Sequence, residues 1–510
     1  MITDTKGRNR AGVIWALVSG GLLFLSFPRF GTGILAWIAL VPLLMAVHGQ
    51  TIKRSFYLGF LSGLVAHLGI LYWIAYVVVK YGNLSIGVGA IALLLLVAYM
   101  SLYPAIFAAG VVHFAMHGLP VILFAPLIWT ALEYIKTYAF TGFPWELLGY
   151  SQYRLIPLIQ ISDITGVYGV SFVIVLVNAA IYDLMMYPSR RPLKLAGAIF
   201  VVALVMIYGV NRVKEMEVTL NQAPDLTIGI VQGNIDQSIK WDPAFQRETM
   251  TQYINLSKEA LKNPIQLLVW PETATPFFFQ DPTPYRSWIT ELARERGLWF
   301  LFGSPSYRKE LSGHITMYNS VFLLSPQGKV EGKYDKVHLV PYGEYVPLRK
   351  LFPFISKLVH GIGDFGTGPG YIPIFMGNEK IGVLICYEAI FPEGARRYAT
   401  EDVSFLVNVT NDAWFGRSSA PYQHLSMAVF RAVENKKYFV RAANTGISAL
   451  IDPFGRIYAQ TGLFEPAIIR DKIKLLHNRT LYGHIGDAFS WVCIFCLFSG
   501  IIISIRRKKK

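Results

Sequence analysis

Long apolar runs dominate the first 211 residues of the chain and return once near its end. Each run is long enough to cross the hydrocarbon core of a bilayer as a helix, and the runs lie at about residues 11–27, 31–48, 55–79, 86–112, 119–139, 166–187, 194–211 and 487–505. Only 15% of the residues are charged, whereas an ordinary soluble domain carries about a quarter. The sequence therefore predicts a membrane-embedded helical bundle of about eight spans, about seven of them in residues 1–211.

Basic residues flank these runs and predict their orientation. With eight spans, all the clusters fall on one face: Lys6, Arg8 and Arg10; Lys53 and Arg54; Arg190, Arg191 and Lys194; and Arg506 to Lys510. Because cytoplasmic loops are enriched in lysine and arginine, this face is predicted to be cytoplasmic. Residues 212–486 would lie on the opposite face, and residues 487–510 would form an anchor with a basic tail. The clustering also accounts for the net charge of +15 without a nucleic-acid partner.

Residues 212–486 have a different pattern, in which short β-rich runs alternate with helical stretches. The strand candidates are "LTIGIVQ", "LLVWPE", "LWFLFGSP", "NSVFLLSP", "KIGVLIC", "VSFLVNVTND" and "GISALIDPFG". Several are almost wholly apolar, as expected of strands that are buried on both faces. Helices are predicted at about Arg247 to Lys262 and Tyr285 to Arg296. This alternation predicts an α/β domain with layered sheets.

Three short motifs in this domain carry residues suited to chemistry. They are "LLVWPET" with Glu272, "GKYDKVHLVPYGEYVP" with Lys336 and Glu344, and "IGVLICYEAIFPE" with Cys386, Tyr387 and Glu388. A carboxylate can act as a general base toward a thiol, and an ammonium can stabilise a thiolate and an oxyanion. Glu272, Lys336 and Cys386 are interpreted as lying at three strand ends, so they could converge at one edge of a sheet.

Each motif also has an ordinary structural interpretation. A lone cysteine at a strand end is more often a small buried residue, and a Pro-Glu pair after a strand is usually a turn. Lysines such as Lys333 and Lys336 commonly lie on a solvated face. His338, between two apolar residues, is interpreted as a structural residue in a strand. The ten histidines and three cysteines show no metal-ligand spacing, so no metal or cofactor is predicted.

The order and wording of the motifs resemble those of the nitrilase, or carbon–nitrogen hydrolase, superfamily with its Glu-Lys-Cys triad. The whole chain resembles the apolipoprotein N-acyltransferase family of Gram-negative bacteria, and "VQGNIDQSIKWD" and "TGFPWELLGYSQ" are typical of that family. The resemblance implies an αββα sandwich for residues 212–486, on the periplasmic side of the inner membrane. It also implies a multi-pass membrane protein.

The resemblance also implies roles for individual residues. Glu272 would be the general base, Lys336 would stabilise the oxyanion, and Cys386 would be the nucleophile. Glu344, Tyr387 and Glu388 match supporting positions of the family. The positions predicted to bind substrate are Trp241, from the resemblance, and Phe277 and Trp414, from aromatic loops that could face lipid.

The implied reaction is an acyl transfer in two steps. An acyl chain would pass from a phospholipid donor, the sn-1 chain of phosphatidylethanolamine, to Cys386 as a thioester. It would then pass to the α-amino group of the diacylglyceryl-cysteine of an apolipoprotein acceptor. The aromatic loops, with apolar residues at 351–359 and the glycine-rich stretch 361–370, are predicted to serve lipid access; the alternative is that they pack internally.

Two other functions remain open from the sequence. A membrane-tethered carbon–nitrogen hydrolase would use the same triad, with water attacking an acyl-enzyme made from a small amide or nitrile. A transporter with an appended sensing domain is less well supported, because the spans carry few charges and no inverted repeat is evident.

Overall fold

The computed structural model of the protein describes residues 5–186, 191–311, 313–345 and 365–508. The predicted lipid-access residues 351–359, the first part of the glycine-rich stretch 361–370, Arg190 and the last two lysines lie outside the described residues. The chain divides into two compact units. One contains Met1–Val79, Ser85–Val213 and Ile485–Lys510, and the other contains Lys80–Leu84 and Lys214–His484.

Sixteen α-helices occur in the described residues. In chain order they are α1 Thr5–Leu25, α2 Val41–Val47, α3 Ile52–Leu71, α4 Trp73–Gly82, α5 Ile86–Met116, α6 Val121–Tyr138, α7 Ile156–Ile159, α8 Ser162–Thr165, α9 Val167–Met186, α10 Arg191–Gln222, α11 Gln246–Ala260, α12 Pro284–Arg296, α13 Pro392–Thr400, α14 Ala420–Asn435, α15 Leu481–Ile485 and α16 Ala488–Lys508. The predicted helices at 247–262 and 285–296 correspond to α11 and α12.

Six of the eight predicted spans are present as helices long and apolar enough to cross a membrane. Among the described residues these helices are α3, α5, α6, α9, α10 and α16. The first two predicted runs instead give shorter apolar helical segments, Arg10–Leu25 within α1 and Ile34–Val47, which ends with α2. The run predicted at 55–79 is divided between α3 and α4. A helical membrane bundle is therefore confirmed, with a first pair of helices shorter than expected.

Small residues allow two of the long helices to pack closely. A Cβ atom added at Gly59 of α3 would collide with the carbonyl oxygen of Pro104 in α5. One added at Gly63 would lie 2.8 Å from the Cα of Ser101. Since apolar burial drives little association between helices in a bilayer, close backbone approach at such residues is a main source of stability there.

The described residues of the second unit form two six-stranded sheets. The strands are β1 Asp225–Gln232, β2 Leu267–Val269, β3 Trp299–Lys309, β4 Ile315–Leu324, β5 Val330–Asp335, β6 Ile374–Met376, β7 Glu379–Ile385, β8 Phe405–Thr410, β9 Phe439–Ala443, β10 Ala449–Ile451, β11 Ile457–Gln460 and β12 Ala467–Lys474. The first sheet has the order β12-β1-β2-β3-β4-β5 and the second β11-β10-β9-β8-β7-β6.

The two sheets pack against each other and carry helices on their outer sides. Helices α11 and α12 pack on the first sheet, and α13 and α14 pack on the second. Strands β1, β2 and β3 are mutually parallel, as are β7, β8 and β9. This is the αββα sandwich that was predicted, and the fold class is confirmed.

An aromatic core anchors the end of β2, where the first predicted catalytic residue follows. Trp270 lies within 6.4 Å of the rings of Phe300 and Phe302, and its indole nitrogen donates to Ser257 of α11 at 2.8 Å. Because this residue is held by both the sheet and the outer helix, the segment that follows β2 has a rigid base.

Candidate active site

Three strand ends supply the three residues predicted to carry the chemistry. Glu272 lies three residues after β2, Lys336 directly after β5 and Cys386 directly after β7. The expected convergence at one edge of a single sheet is wrong, because Cys386 belongs to the second sheet. Strand β5 is two antiparallel steps from β3, so it runs in the same direction as β2 and both ends point the same way.

Glu272 is buried with one carboxylate oxygen bound and the other open. Its Oε1 accepts a hydrogen bond from Asn319 Nδ2 at 2.7 Å. Its Oε2 has no hydrogen-bond partner among the described residues. Burial raises the pKa of Glu272, and the nearby charge of Lys336 offsets part of this effect. A buried carboxylate with a raised pKa and a free oxygen is well suited to accept a proton.

Lys336 is held as a fixed cation. Its Nζ lies 2.9 Å from Oε1 and 2.8 Å from Oε2 of Glu344. Glu344 Oε2 also accepts a hydrogen bond from the main-chain nitrogen of Val340 at 2.8 Å. Burial alone would lower the pKa of Lys336, but the charges of Glu344, Cys386 and Glu272 outweigh burial and raise it. The ammonium is therefore available to stabilise negative charge.

Asn319 was missed by the sequence analysis and links the two carboxylates. Its Nδ2 donates to Glu272 Oε1 at 2.7 Å and to Glu344 Oε1 at 3.1 Å. The main-chain carbonyl oxygen of Asn319 accepts a hydrogen bond from the main-chain nitrogen of Lys336 at 2.9 Å. The available signal was an amide side chain at the start of the predicted strand "NSVFLLSP".

Cys386 sits at a sharp turn between β7 and a short 3₁₀ helix. Its φ is 51°, in the left-handed region that is costly for residues other than glycine. Burial and then the charge of Glu272 raise the pKa of the Cys386 thiol, while Lys336 acts in the opposite direction. The sulfur thus lies within electrostatic reach of both groups, and burial favours the protonated thiol over the thiolate. Its proton has to be removed as it attacks.

Glu388 ties the two sheets together beside the cysteine. Its Oε1 accepts hydrogen bonds from Tyr334 Oη at 2.9 Å and from the main-chain nitrogens of Val337 and His338 at 2.7 and 3.0 Å. Its Oε2 accepts from the main-chain nitrogen of Ile385 at 2.6 Å. With four donors on one buried carboxylate, Glu388 holds the segment after β5 against the end of β7.

Aromatic rings pack beside this bridge. Tyr387 lies edge-on to Phe391, with ring centroids 5.1 Å apart. His338 stacks on Phe391 at 3.8 Å and follows β5 in a loop, so the strand position expected for it is wrong. That His338 is a structural residue stays a prediction.

The three residues predicted to bind substrate lie in different environments. Phe277 is 9% exposed and packs in the aromatic core, 5.9 Å from the ring of Tyr285, which corrects the expectation that it faces lipid. Its role in binding stays a prediction. Trp241 and Trp414 are half-buried, and Trp414 lies edge-on to Tyr81 at 4.7 Å.

Lys240 is a second buried cation that sequence reasoning missed, although it directly precedes Trp241. Its Nζ donates to Thr273 Oγ1 at 2.7 Å and to the carbonyl oxygen of Glu272 at 3.3 Å. Burial lowers the pKa of Lys240 to about 8, and the charge of Glu272 partly opposes this. Lys240 therefore holds the main chain of Glu272, whose Oε2 has no hydrogen-bond partner among the described residues.

A buried thiol, carboxylate and ammonium on an αββα sandwich define a nitrilase-type domain, here joined to a membrane bundle. The family model described as carbon-nitrogen hydrolase matches residues 227–476. The model described as apolipoprotein N-acyltransferase N-terminal domain matches residues 19–180.

Relatives match nearly the whole chain. The apolipoprotein N-acyltransferase of Geobacter metallireducens is 47% identical over 98% of this chain and 96% of that one. That of Pasteurella multocida is 32% identical over 97% of this chain and 96% of that one. A solved Saccharomyces cerevisiae member of branch 10 of the nitrilase superfamily is 20% identical, covers 49% of this chain and 90% of its own, and has a TM-score of 0.39. On the full-length relatives, the chain belongs to the apolipoprotein N-acyltransferase family.

Proposed function

We propose that this protein moves an acyl chain from a phospholipid to the α-amino group of a lipoprotein's N-terminal diacylglyceryl-cysteine, through a thioester on Cys386. The names of its full-length relatives support this reaction. The observation that carries the proposal is the open Oε2 of Glu272 in a buried site where the charges of Glu272 and Lys336 both act on the Cys386 thiol.

In the first half-reaction Cys386 attacks the ester carbonyl carbon of the phospholipid. Glu272 Oε2 accepts the thiol proton as the sulfur–carbon bond forms. The Lys336 ammonium stabilises the negative charge on the carbonyl oxygen. The bond between that carbon and the glycerol oxygen then breaks, and Glu272 returns the proton to the leaving oxygen. The products are a thioester and a lysophospholipid.

In the second half-reaction the amine of the acceptor attacks the thioester carbon. Glu272 accepts the proton that the amine loses, and Lys336 again stabilises the oxyanion. The carbon–sulfur bond breaks, and the proton on Glu272 passes to the departing thiolate. A covalent intermediate suits two bulky lipid substrates, because they can use one site in turn.

We also propose the finer substrate and location. The donor chain is the sn-1 chain of phosphatidylethanolamine, and residues 212–486 lie on the periplasmic side of a bacterial inner membrane. Residues 1–211 form the bundle and residues 487–510 the anchor. Support comes from the basic clusters near the predicted span ends and from the six helices of spanning length in the described residues.

Purified wild-type protein, Cys386→Ala and Cys386→Ser are incubated with phosphatidylethanolamine and a diacylated lipopeptide. Mass spectrometry of the wild-type protein should find a long-chain acyl group on Cys386, and the lipopeptide should gain one acyl chain. Neither variant should form the thioester or transfer at the normal rate. The double variant Cys493→Ala/Cys496→Ala, which removes the other cysteines, should behave as wild type.

Two results would contradict the proposal. Normal transfer by Cys386→Ala would remove the cysteine from the mechanism. Release of free fatty acid without acylation of the lipopeptide would indicate the rival hydrolase, in which water is the acceptor.

A further inference from the structure

A group of polar side chains lies fully buried behind the turn that carries Cys386. Asp412 follows β8, His424 lies on α14 and Arg441 lies on β9, and none of the three is more than 1% exposed. Arg441 Nη2 lies 2.7 Å from Asp412 Oδ2, and Arg441 Nη1 donates to Asn408 Oδ1 of β8. These residues come from the segment after β8, the helix α14 and the strand β9, which follow one another in the chain, and they form one connected set.

His424 connects this set to the main chain of Cys386. Its Nε2 lies 3.2 Å from the carbonyl oxygen of Cys386. Its Nδ1 lies 3.1 Å from both Arg441 Nη2 and Asp412 Oδ1. Burial and the charge of Arg441 lower the pKa of His424. A neutral ring with its proton on Nε2 donates to the Cys386 carbonyl and accepts from Arg441 at Nδ1, while Asp412 Oδ1 accepts from Thr410 Oγ1 at 3.0 Å.

The bonded carbonyl belongs to a residue in an unfavourable conformation. Residues other than glycine adopt positive φ only where the surroundings enforce it, and Cys386 has a φ of 51°. Asn408 Nδ2 also approaches the same carbonyl, at 3.4 Å. Rotation of this peptide would move the Cβ and sulfur of Cys386, so the donors behind it determine where the sulfur points.

Stability alone is a poor explanation for such a set. A buried ion pair is often no more stabilising than apolar side chains of the same volume, because both charges lose their hydration. The network instead contacts the main-chain carbonyl of Cys386, the residue that carries the sulfur.

We propose that Asp412, Arg441 and His424 form a positioning network that holds the Cys386 carbonyl and thereby aims its sulfur. His424 is the donor, Arg441 orients its ring, and Asp412 balances the charge of Arg441. This inference rests on the proposed role of Cys386 as the nucleophile. None of the three residues touches substrate in this role.

The test compares His424→Gln, which keeps an amide donor, with His424→Leu, which has none. The control Thr480→Val removes two other buried hydrogen bonds, from Thr480 Oγ1 to the carbonyl oxygen of Glu434 at 2.7 Å and from the main-chain nitrogen of Gly483 to Thr480 Oγ1 at 2.9 Å. The first-order rate constant for thioester formation from a fluorescent phosphatidylethanolamine is measured at a temperature below the melting temperature of every variant. It is normalised to the amount of protein whose Cys386 can be acylated.

His424→Leu should lower this rate constant by about 10- to 100-fold, as expected when a reacting atom is misplaced by about 1 Å. His424→Gln should restore most of the rate, and Thr480→Val should lose only thermal stability. If His424→Leu does not fold, His424→Asn, whose shorter amide stops short of the Cys386 carbonyl, should show the same loss.

A normal rate for the donor-less variant, or equal losses for it and Thr480→Val, would overturn the inference. The Cys386→Ala arm separates the two proposals. Acylation without the cysteine would refute the proposed function, whereas a strict requirement for the cysteine with no effect at position 424 would refute only the network.

Discussion

Substitution of Asn319 is the most direct test of what sets the pKa of Glu272. One side-chain nitrogen donates to Glu272 at 2.7 Å and to Glu344 at 3.1 Å, while Asn319 Oδ1 has no hydrogen-bond partner among the described residues. Asn319→Leu keeps nearly the same volume and removes both donated bonds. The carboxylate of Glu272 would then be buried without its hydrogen bond from Asn319.

The size of the effect follows from the kind of bond that is lost. A hydrogen bond to a charged group contributes about 1.5–3 kcal/mol. Because the bond stabilises only the ionised carboxylate, its loss should raise the pKa of Glu272 by about 1 to 2 units, at about 1.4 kcal/mol per unit. The pKa of Glu272 is already raised by burial, so the substitution adds to an existing shift.

The assay is the rate of Cys386 acylation in detergent between pH 4.5 and 9. The rate should fall on the acid side as Glu272 becomes protonated, with a midpoint above the ordinary value for glutamate. In Asn319→Leu this acid limb should move to higher pH by about 1 to 2 units. The control Ser306→Ala removes a 2.7 Å hydrogen bond to Ser320 in the same sheet and should leave the limb in place. A lower rate with an unchanged midpoint would refute the reasoning.

Three further predictions test neighbouring groups. Lys336→Gln should slow thioester formation by about 100-fold or more, because a buried oxyanion loses its cation; a rate within tenfold of wild type, measured by mass spectrometry, would count against the assigned role. Lys240 has a pKa lowered to about 8 by burial, against 10.5 for the ordinary group, so the unfolded chain keeps its proton longer. The melting temperature of wild type should therefore rise relative to that of Lys240→Met between about pH 8 and 10.5, and parallel curves would contradict this. Phe277→Ala should cost about 3–5 kcal/mol of stability by opening a cavity in the aromatic core, measured by chemical denaturation; a change confined to the KM for phospholipid would favour a binding role.

The sequence marked where strands end more reliably than it indicated which strands are neighbours. Apolar runs identified β1 to β4, and the residues after β2, β5 and β7 were singled out because each follows such a run or a distinctive motif. Some sheet partners, such as β1 and β12, are far apart in the chain, and nothing local shows that Cys386 follows a strand of a different sheet from Glu272. Sheet membership depends on long-range pairing.

The residues that position the site were harder to predict for the same reason. Asn319, His424 and Arg441 lie within otherwise unremarkable strands and a helix, and their importance depends on partners up to 47 positions away, as in the bond from Asn319 to Glu272. Phe277 was misjudged because an aromatic triplet in a loop looks the same in sequence whether it faces lipid or fills a core. Six of the eight predicted spans correspond to helices of spanning length in the described residues, since hydropathy and length are local properties.

The short segment Lys80–Leu84 has a practical consequence. It groups with the sandwich although its first three residues form the last turn of α4, and Tyr81 Oη donates to the carbonyl oxygen of Ala413 at 2.8 Å. A truncated protein made only of residues 214–484 would lack this tyrosine, and the indole of Trp414 would lose its edge-on neighbour. The sandwich unit is thus not a single continuous stretch of chain, and a fragment cut out as residues 214–484 would leave a piece of it behind.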